Sequence, residues 1–326
     1  MFWKTKNPLK NFIEKNGMMA PLFIILMVLI ILSWIVKPGS FEEGVFIASE
    51  STSPLGFFDI FRIPLATIVN SSHYIFFILL VGGLYGILNQ TAVYDDLVKK
   101  VAKKLGVKSV LFSTLFFIIM SSISGNTVLL LLLVPFFVAV IMVNKWDKLT
   151  AFAATVGAIL VGNMVAIFHS TFVSTFNYYF GIEFSTHLIE KIILLGLVTA
   201  LYVLFINKRK EIKKSDNIPL LLKVKGKKGK ELISILSFTS ILFIIFAFIV
   251  MYDWFYALNI ESVREFSANI VENETLAKML GNFNLFGSWS IYDLSVLMFI
   301  YITAIIFIFK MKIEKAYEGF IWGAKQ

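Results

Sequence analysis

Full-length apolar blocks recur along the chain, near residues 18–36, 72–89, 151–168, 188–207, 231–252 and 290–309, with a longer apolar stretch between 109 and 143. At a rise of ~1.5 Å per residue, a helix of about twenty residues covers a hydrocarbon core ~30 Å thick. A water-soluble core needs far less contiguous apolar sequence. Here 58% of the 326 residues are hydrophobic, only 16% are charged, and the mean hydropathy is +0.82, so lipid is the expected solvent. Barrel strands would alternate apolar and polar residues over segments of about ten, and these blocks do not. The expectation is an all-α integral membrane protein with about six transmembrane helices and one re-entrant hairpin.

The first block follows Lys4, Lys6, Lys10 and Lys15, which invites a signal-peptide reading. That reading fails because the block is long, its exit runs Lys37-Pro38-Gly39-Ser40 with no small-x-small cleavage site, and further apolar blocks follow.

Charge sorts the polar segments. Residues 1–17, 90–108, 144–150, 208–230 and 310–326 hold 4, 5, 2, 10 and 4 Lys and Arg, 25 of the chain's 30. The positive-inside rule puts them in the cytoplasm and the chain in the plasma (inner) membrane, multi-pass, with a cytoplasmic N-terminus. Segments 37–71 and 253–289 carry two basic residues each, against Glu42, Glu43, Glu50 and Asp59 in one and Asp253, Glu261, Glu265, Glu272 and Glu274 in the other. They belong outside. Topology thus accounts for the net charge of +9, no nucleic-acid partner is implied, and the Lys-rich 223–230 run reads as a loop facing anionic lipid headgroups.

Parity then constrains the middle of the chain. With 90–108 and 144–150 on one side, residues 109–143 must enter the bilayer and return. Ser124-Gly125-Asn126 interrupts them, leaving arms of ~22 and ~25 Å as helices, short for full crossings. Residues 151–187 cross once, but 37 residues exceed one straight crossing, and Asn163, His169, Ser170, Thr171, Ser174, Thr175 and Asn177 crowd into them. A broken helix is expected at Gly162-Asn163. The resulting organisation is a cytoplasmic N-terminus (1–17), a first membrane repeat (18–207) containing the hairpin and the broken helix, a basic cytoplasmic loop (208–230), and the start of a second repeat (231–326).

Candidate chemistry follows from these breaks. At Ser124, Gly125, Asn126 and Thr127 the helical ladder stops and main-chain N–H and C=O groups need partners. A half-helix starting near Thr127 would aim its positive end at the midplane, where it suits a carboxylate or, through carbonyls, a sodium ion. The bland alternative is a glycine kink whose Ser and Thr bond back to their own helix. Gly162, Asn163, His169, Ser170 and Thr171 form the facing candidate surface, with an external loop as the alternative. His169 is a candidate proton relay or a hydrogen-bonded bystander. Gly82, Gly83 and Gly86 read as close helix packing. No Asp, Glu, Lys or Arg falls in the interior of a proposed crossing, away from its end turns, which favours cation coupling through neutral oxygens over intramembrane carboxylates.

Enzymatic machinery is missing from the pattern, and the chain is expected not to be an enzyme. Lys225-Gly226-Lys227-Lys228-Gly229-Lys230 lacks P-loop spacing, and neither an HExxH pair nor a GxSxG elbow occurs. With no cysteine in the chain, disulfides and thiolate metal sites are excluded. No cofactor is expected beyond Na+ as a candidate coupling ion.

Several segments resemble the YfcC-type branch of the anaerobic four-carbon dicarboxylate carrier family, within the ion-transporter superfamily. They are Lys37 to Phe41, Leu55 to Phe61, the run FFILLVGGLYGILNQTAVYDDLVKKVAKK from Phe76 to Lys104, LYVLFINKRKEIKK at 201–214, and Tyr317 to Gln326. The resemblance implies an elevator-type secondary carrier built of two inverted repeats, each with a re-entrant hairpin and a broken helix, working as a homodimer. Ser124 to Thr127 matches the position of the family's first hairpin tip, although the branch often carries an acidic pair where this chain has Gly125-Asn126. The chain covers roughly the first two-thirds of such a carrier, so a C-terminally truncated carrier with an incomplete second repeat, or one completed by a companion C-terminal half, is expected.

The functional expectation is secondary active transport of a small organic anion or amino acid, dicarboxylate-like, coupled to Na+ or H+. Its competitors are a non-transporting membrane subunit or inactive carrier fragment and, more distantly, a membrane-embedded enzyme.

Overall fold

The computed structural model describes residues 17, 19–36, 39–42, 45–48, 54–167, 179–180, 186–209, 221, 229–252, 254, 260–281 and 284–326. The chain divides at Ser72 into two compact units, Met1–Ser72 and His73–Gln326.

The first unit contains α1 (Met19–Ile35), the strands β1 (Gly39–Glu42) and β2 (Val45–Ala48), and α2 (Asp59–Asn70). The strands pair antiparallel with Gly39 opposite Ala48 and Glu42 opposite Val45. This hairpin is a local departure from the all-α expectation. Phe41, Val45, Phe46 and Ile47 are residue types that favour an extended backbone, and helical periodicity has no room to develop in so short a stretch. The end of α1 is tied to the chain ahead of α2: Trp34 Nε1 donates to the Leu55 carbonyl (2.9 Å), and Leu55 N donates to Ser33 Oγ (3.1 Å).

Among its described residues the second unit is built of helices joined by short connections. It contains α3 (Ser72–Gln90), α4 (Tyr94–Leu105), a 3-10 turn at Gly106–Lys108, α5 (Ser109–Ser124), α6 (Thr127–Val143), α7 (Lys148–Met164), α8 (Leu188–Arg209), α9 (Lys230–Met251), α10 (Ser262–Glu272), α11 (Glu274–Leu280), α12 (Ile291–Ile308) and α13 (Ile313–Ala324). Among the described residues, five stretches are long and apolar enough to cross a membrane: α3, the run Tyr94–Ser124 formed by α4 and α5, α8, α9 and α12. Four of them fall on the expected blocks 72–89, 188–207, 231–252 and 290–309; blocks 18–36 and 151–168 supply only the shorter helices α1 and α7, and the fifth, Tyr94–Ser124, joins the segment expected to be cytoplasmic to the first arm of the hairpin. On α8, Leu194, Leu197, Leu201 and Leu204 expose 50–59% of their surface. So continuous an apolar face suits lipid and not water, as a membrane-embedded protein requires.

Helix α4 is the amphipathic exception. Asp95 and Asp96 occupy its first turn and Lys103 and Lys104 its last, which complements the helix dipole at both ends. Val98 and Ala102 are buried on its inner face, while the exposed Lys99 pairs with the buried carboxylate of Asp95 one turn earlier.

Helices α5 and α6 fold back on each other. Near their feet Val110 clusters with Ile141 and Met142. Nearer the tip Phe117 and Ile118 cluster with Leu130 and Phe137, and the Phe116 and Phe137 rings stack at 5.0 Å. These pairings place the start of α5 beside the end of α6. Asn144, just past α6, donates from Nδ2 to the Ala102 carbonyl of α4 (3.1 Å), so the hairpin leaves and rejoins the fold beside the same helix.

Two close approaches organise the rest. Gly82 and Gly86 of α3 meet Gly319 and Gly323 of α13: a Cβ on Gly82 would stand 2.6 Å from the Gly323 carbonyl oxygen, and one on Gly86 would overlap that of Gly319. Two small-xxx-small faces in register allow backbone to touch backbone. In α7 the helix widens to a π turn over Ala153–Gly157. A π turn disturbs the regular carbonyl ladder, and Tyr202 of α8 compensates by donating from its hydroxyl to the Ala153 carbonyl (2.8 Å). The side of Gly157 lacks a Cβ where that hydroxyl sits.

Candidate functional site

The hairpin tip is built by local hydrogen bonding. Gly125 closes α5 with a left-handed backbone (φ 59°), its N–H donating to the Ser121 carbonyl at 2.8 Å. A side chain there would be strained. Asn126 then caps α6: its Oδ1 accepts from Leu129 N at 3.0 Å, as an N-cap residue does. Its Nδ2 lies 3.5 Å from the Met251 carbonyl at the end of α9. Ser124 bonds back to its own helix, donating to the Met120 carbonyl (2.7 Å) and accepting weakly from Asn126 N (3.3 Å). Much of the main-chain polarity expected to be free at this tip is therefore satisfied within the fold.

Helix α7 supplies the facing surface. It runs through Gly162 and Asn163 and stops only after Met164, where Val165 leaves the helical region with φ −122° and ψ 61°. The break expected at Gly162-Asn163 therefore lies two residues further on. The reason is tertiary. Gly162 is where α7 crosses α5: an added Cβ would come 2.8 Å from Ser121 Cβ and overlap the Ile118 carbonyl. Past the break, the extended chain is stitched to α5, with Ser122 Oγ donating to the Val165 carbonyl (2.6 Å) and Ile167 N donating to the Ser122 carbonyl (2.9 Å). Helix α5 thus takes over the hydrogen bonding that the helical ladder gives up.

Asn163 joins the two surfaces. Its Nδ2 donates to Thr127 Oγ1 at 2.6 Å, and its Oδ1 accepts from Ser121 Oγ at 2.7 Å. Ser121 Oγ also lies 2.8 Å from the Ile159 carbonyl, and its single proton is shared between the two acceptors. Ser121 is fully buried, whereas Thr127 and Asn163 are half-buried. The junction is uncharged, made of hydroxyl, amide and carbonyl groups, and among the described residues no cluster of His, Cys, Asp or Glu can hold a metal ion. Neutral oxygens of this kind suit a hard monovalent cation or hydrogen bonds to a solute. In the arrangement described they bond to one another, so cargo would have to exchange with bonds already made.

Of the residues singled out from the sequence, Ser124, Gly125, Asn126, Thr127, Gly162 and Asn163 come together here. Of these, Thr127 and Asn163 bond directly across the junction, Gly125 and Asn126 shape the tip, Gly162 permits the crossing, and Ser124 serves its own helix. His169, Ser170 and Thr171 lie outside the described residues. Ser121 and Ser122 escaped the sequence reading, although the run Ser121-Ser122-Ile123-Ser124 in an otherwise apolar helix was a signal that hydroxyls there face a partner rather than lipid.

Compared with protein-family models, with characterised proteins and with solved structures, the chain gives no match in any of the three.

Proposed function

We propose that this chain is a secondary active carrier, or a part of one, that moves a small organic anion or amino acid, dicarboxylate-like, coupled to Na+ or H+. The observation that carries the reading is the meeting of a helical-hairpin tip with an interrupted helix through Ser121, Asn163 and Thr127. Paired breaks in apolar helices, facing each other with polar side chains between them, are how many carriers assemble a midplane site. The resemblance to dicarboxylate carriers supports the same reading and adds an elevator-like movement and a homodimer or a companion half. In this reading, which the charge pattern supports, the N-terminus is cytoplasmic, the chain lies in the plasma membrane, and residues 109–143 dip in from the cytoplasmic face.

The test is flux. In proteoliposomes holding the chain, alone and with a companion half, saturable uptake of a dicarboxylate or amino acid under a Na+ or H+ gradient is expected, and Thr127→Ala or Asn163→Ala should each reduce it at least tenfold. Absence of saturable flux under every gradient would leave a non-transporting membrane subunit. The dip has its own test, since the chain contains no cysteine. Single cysteines at Lys108 and Lys148 should react with an impermeant maleimide from the same side of the membrane; labelling from opposite sides would make 109–143 an odd number of crossings and remove the tip from the midplane.

A further inference from the structure

A cavity of about 540 Å3 opens among α3, α4, α5, α6, α9 and α12, and none of the hairpin-tip or α7 residues described above lines it. Its volume lies within the ~300–1,000 Å3 of ordinary ligand pockets. Leu88, Leu97, Leu133, Phe136, Ile241 and Ile244 make its walls largely apolar. Two cations interrupt them. Lys100 and Lys104 line the cavity from α4, one turn apart, ~6 Å along the helix axis. Both are exposed, and neither is ion-paired with any described residue, whereas their neighbour Lys99 is held by Asp95. A further observation points to a missing occupant. Tyr94, which also lines the cavity, is only 2% exposed, and its hydroxyl has no hydrogen-bond partner among the described residues. Buried hydroxyls almost always have one.

We propose that this cavity binds an anionic amphiphile, a molecule with an acyl chain and a carboxylate or phosphate head. The chain lies among the α6 and α9 side chains, and the head sits at Lys100 and Lys104. A small hydrophilic anion would leave the apolar walls unfilled, and an uncharged hydrocarbon would leave the lysines unused; an amphiphile satisfies both. The basic end of α4 also belongs to the positively charged side of the chain, where anionic headgroups concentrate. A membrane phospholipid and a free fatty acid both offer this chemistry. The inference is independent of the carrier reading, because it concerns a different set of residues and is read without transport.

The experiment uses the full chain in phosphatidylcholine vesicles doped with phosphatidylglycerol, or separately with palmitate, each carrying a photoreactive diazirine on its acyl chain. After irradiation, mass spectrometry should find adducts within 132–137 of α6 and 237–244 of α9. Excess unlabelled anionic amphiphile should suppress them and excess phosphatidylcholine should not. Lys100→Gln with Lys104→Gln, both exposed positions, should lower these adducts roughly tenfold or more, given about fivefold for each lysine at an anionic surface. Ser240→Trp, which narrows the cavity, should lower them too while adducts on the outer face of α8 persist. Labelling by palmitate alone assigns the free acid, and labelling by phosphatidylglycerol alone assigns the membrane lipid. Adducts confined to outer faces such as Leu197 and Leu201, equal labelling by a phosphatidylcholine probe, or insensitivity to the double lysine change would overturn the proposal.

Discussion

A Gly86→Leu chain is expected to lose the junction between α3 and α13 and most of its recoverable folded protein. Overpacking a core costs ~1–3 kcal/mol when neighbouring side chains can shift. At Gly86 the obstacle is the main-chain carbonyl of Gly319, with the Gly323 Cα 3.0 Å from the added Cβ. Neither can rotate away. The helices would have to separate, giving up the Gly82–Gly323 approach and the seat of Phe320 on Gly83, so the cost is about 3 kcal/mol or more, a large part of an ordinary stability of ~5–15 kcal/mol. The measurement is the monodisperse fraction in detergent after graded heating. Gly196→Leu on α8 is the control, because a Cβ there meets nothing within 4 Å and the substitution raises helix propensity. If the two variants survived heating equally, the glycine faces would not be holding the fold together.

Asn163→Leu is expected to release the hairpin tip. Leucine approximates asparagine in size but removes the donor to Thr127 and the acceptor for Ser121. Ser121 keeps the Ile159 carbonyl as its acceptor, whereas the half-buried Thr127 hydroxyl loses the one hydrogen bond it makes among the described residues. Stranding such a group costs ~1–3 kcal/mol. Much of that loss should appear as opening of the tip, because Asn163 spans α7 and both arms of the hairpin. A single cysteine at Val128, in the cysteine-free chain, reports it: maleimide labelling should quicken about tenfold, equivalent to ~1.4 kcal/mol. An unchanged rate alongside an unchanged melting midpoint would show that the tip is held by its cap at Asn126 and not by Asn163.

How much of this was legible in the sequence differs residue by residue. The small spacing of Gly82 and Gly86 announced a close approach, yet the partner pair Gly319 and Gly323 could not be matched to it from spacing alone. Residues 124–127 announced an interruption between two apolar runs, and α5 and α6 flank it at Ser124 and Thr127. Gly162-Asn163 looked like a break on local propensity. Contact with α5 carried the helix two residues further, and the same contact turned Ser121 and Ser122 from apparent filler into partners of α7. The β-hairpin at Gly39–Ala48 left no sign that outweighed its short length. Nor did the lysines of α4 reveal that two of them border an apolar cavity, since that depends on where α6 and α9 come to rest.

What the sequence by itself determined is which segments leave water, because transfer into lipid is a property each residue contributes locally and a window of about twenty is enough to sum it. What only the tertiary structure decided is who partners whom. The bonds that define the junction join residues 36 and 42 positions apart, and a hydrogen bond depends on distance and direction to within a few tenths of an ångström, which no local pattern along the chain encodes.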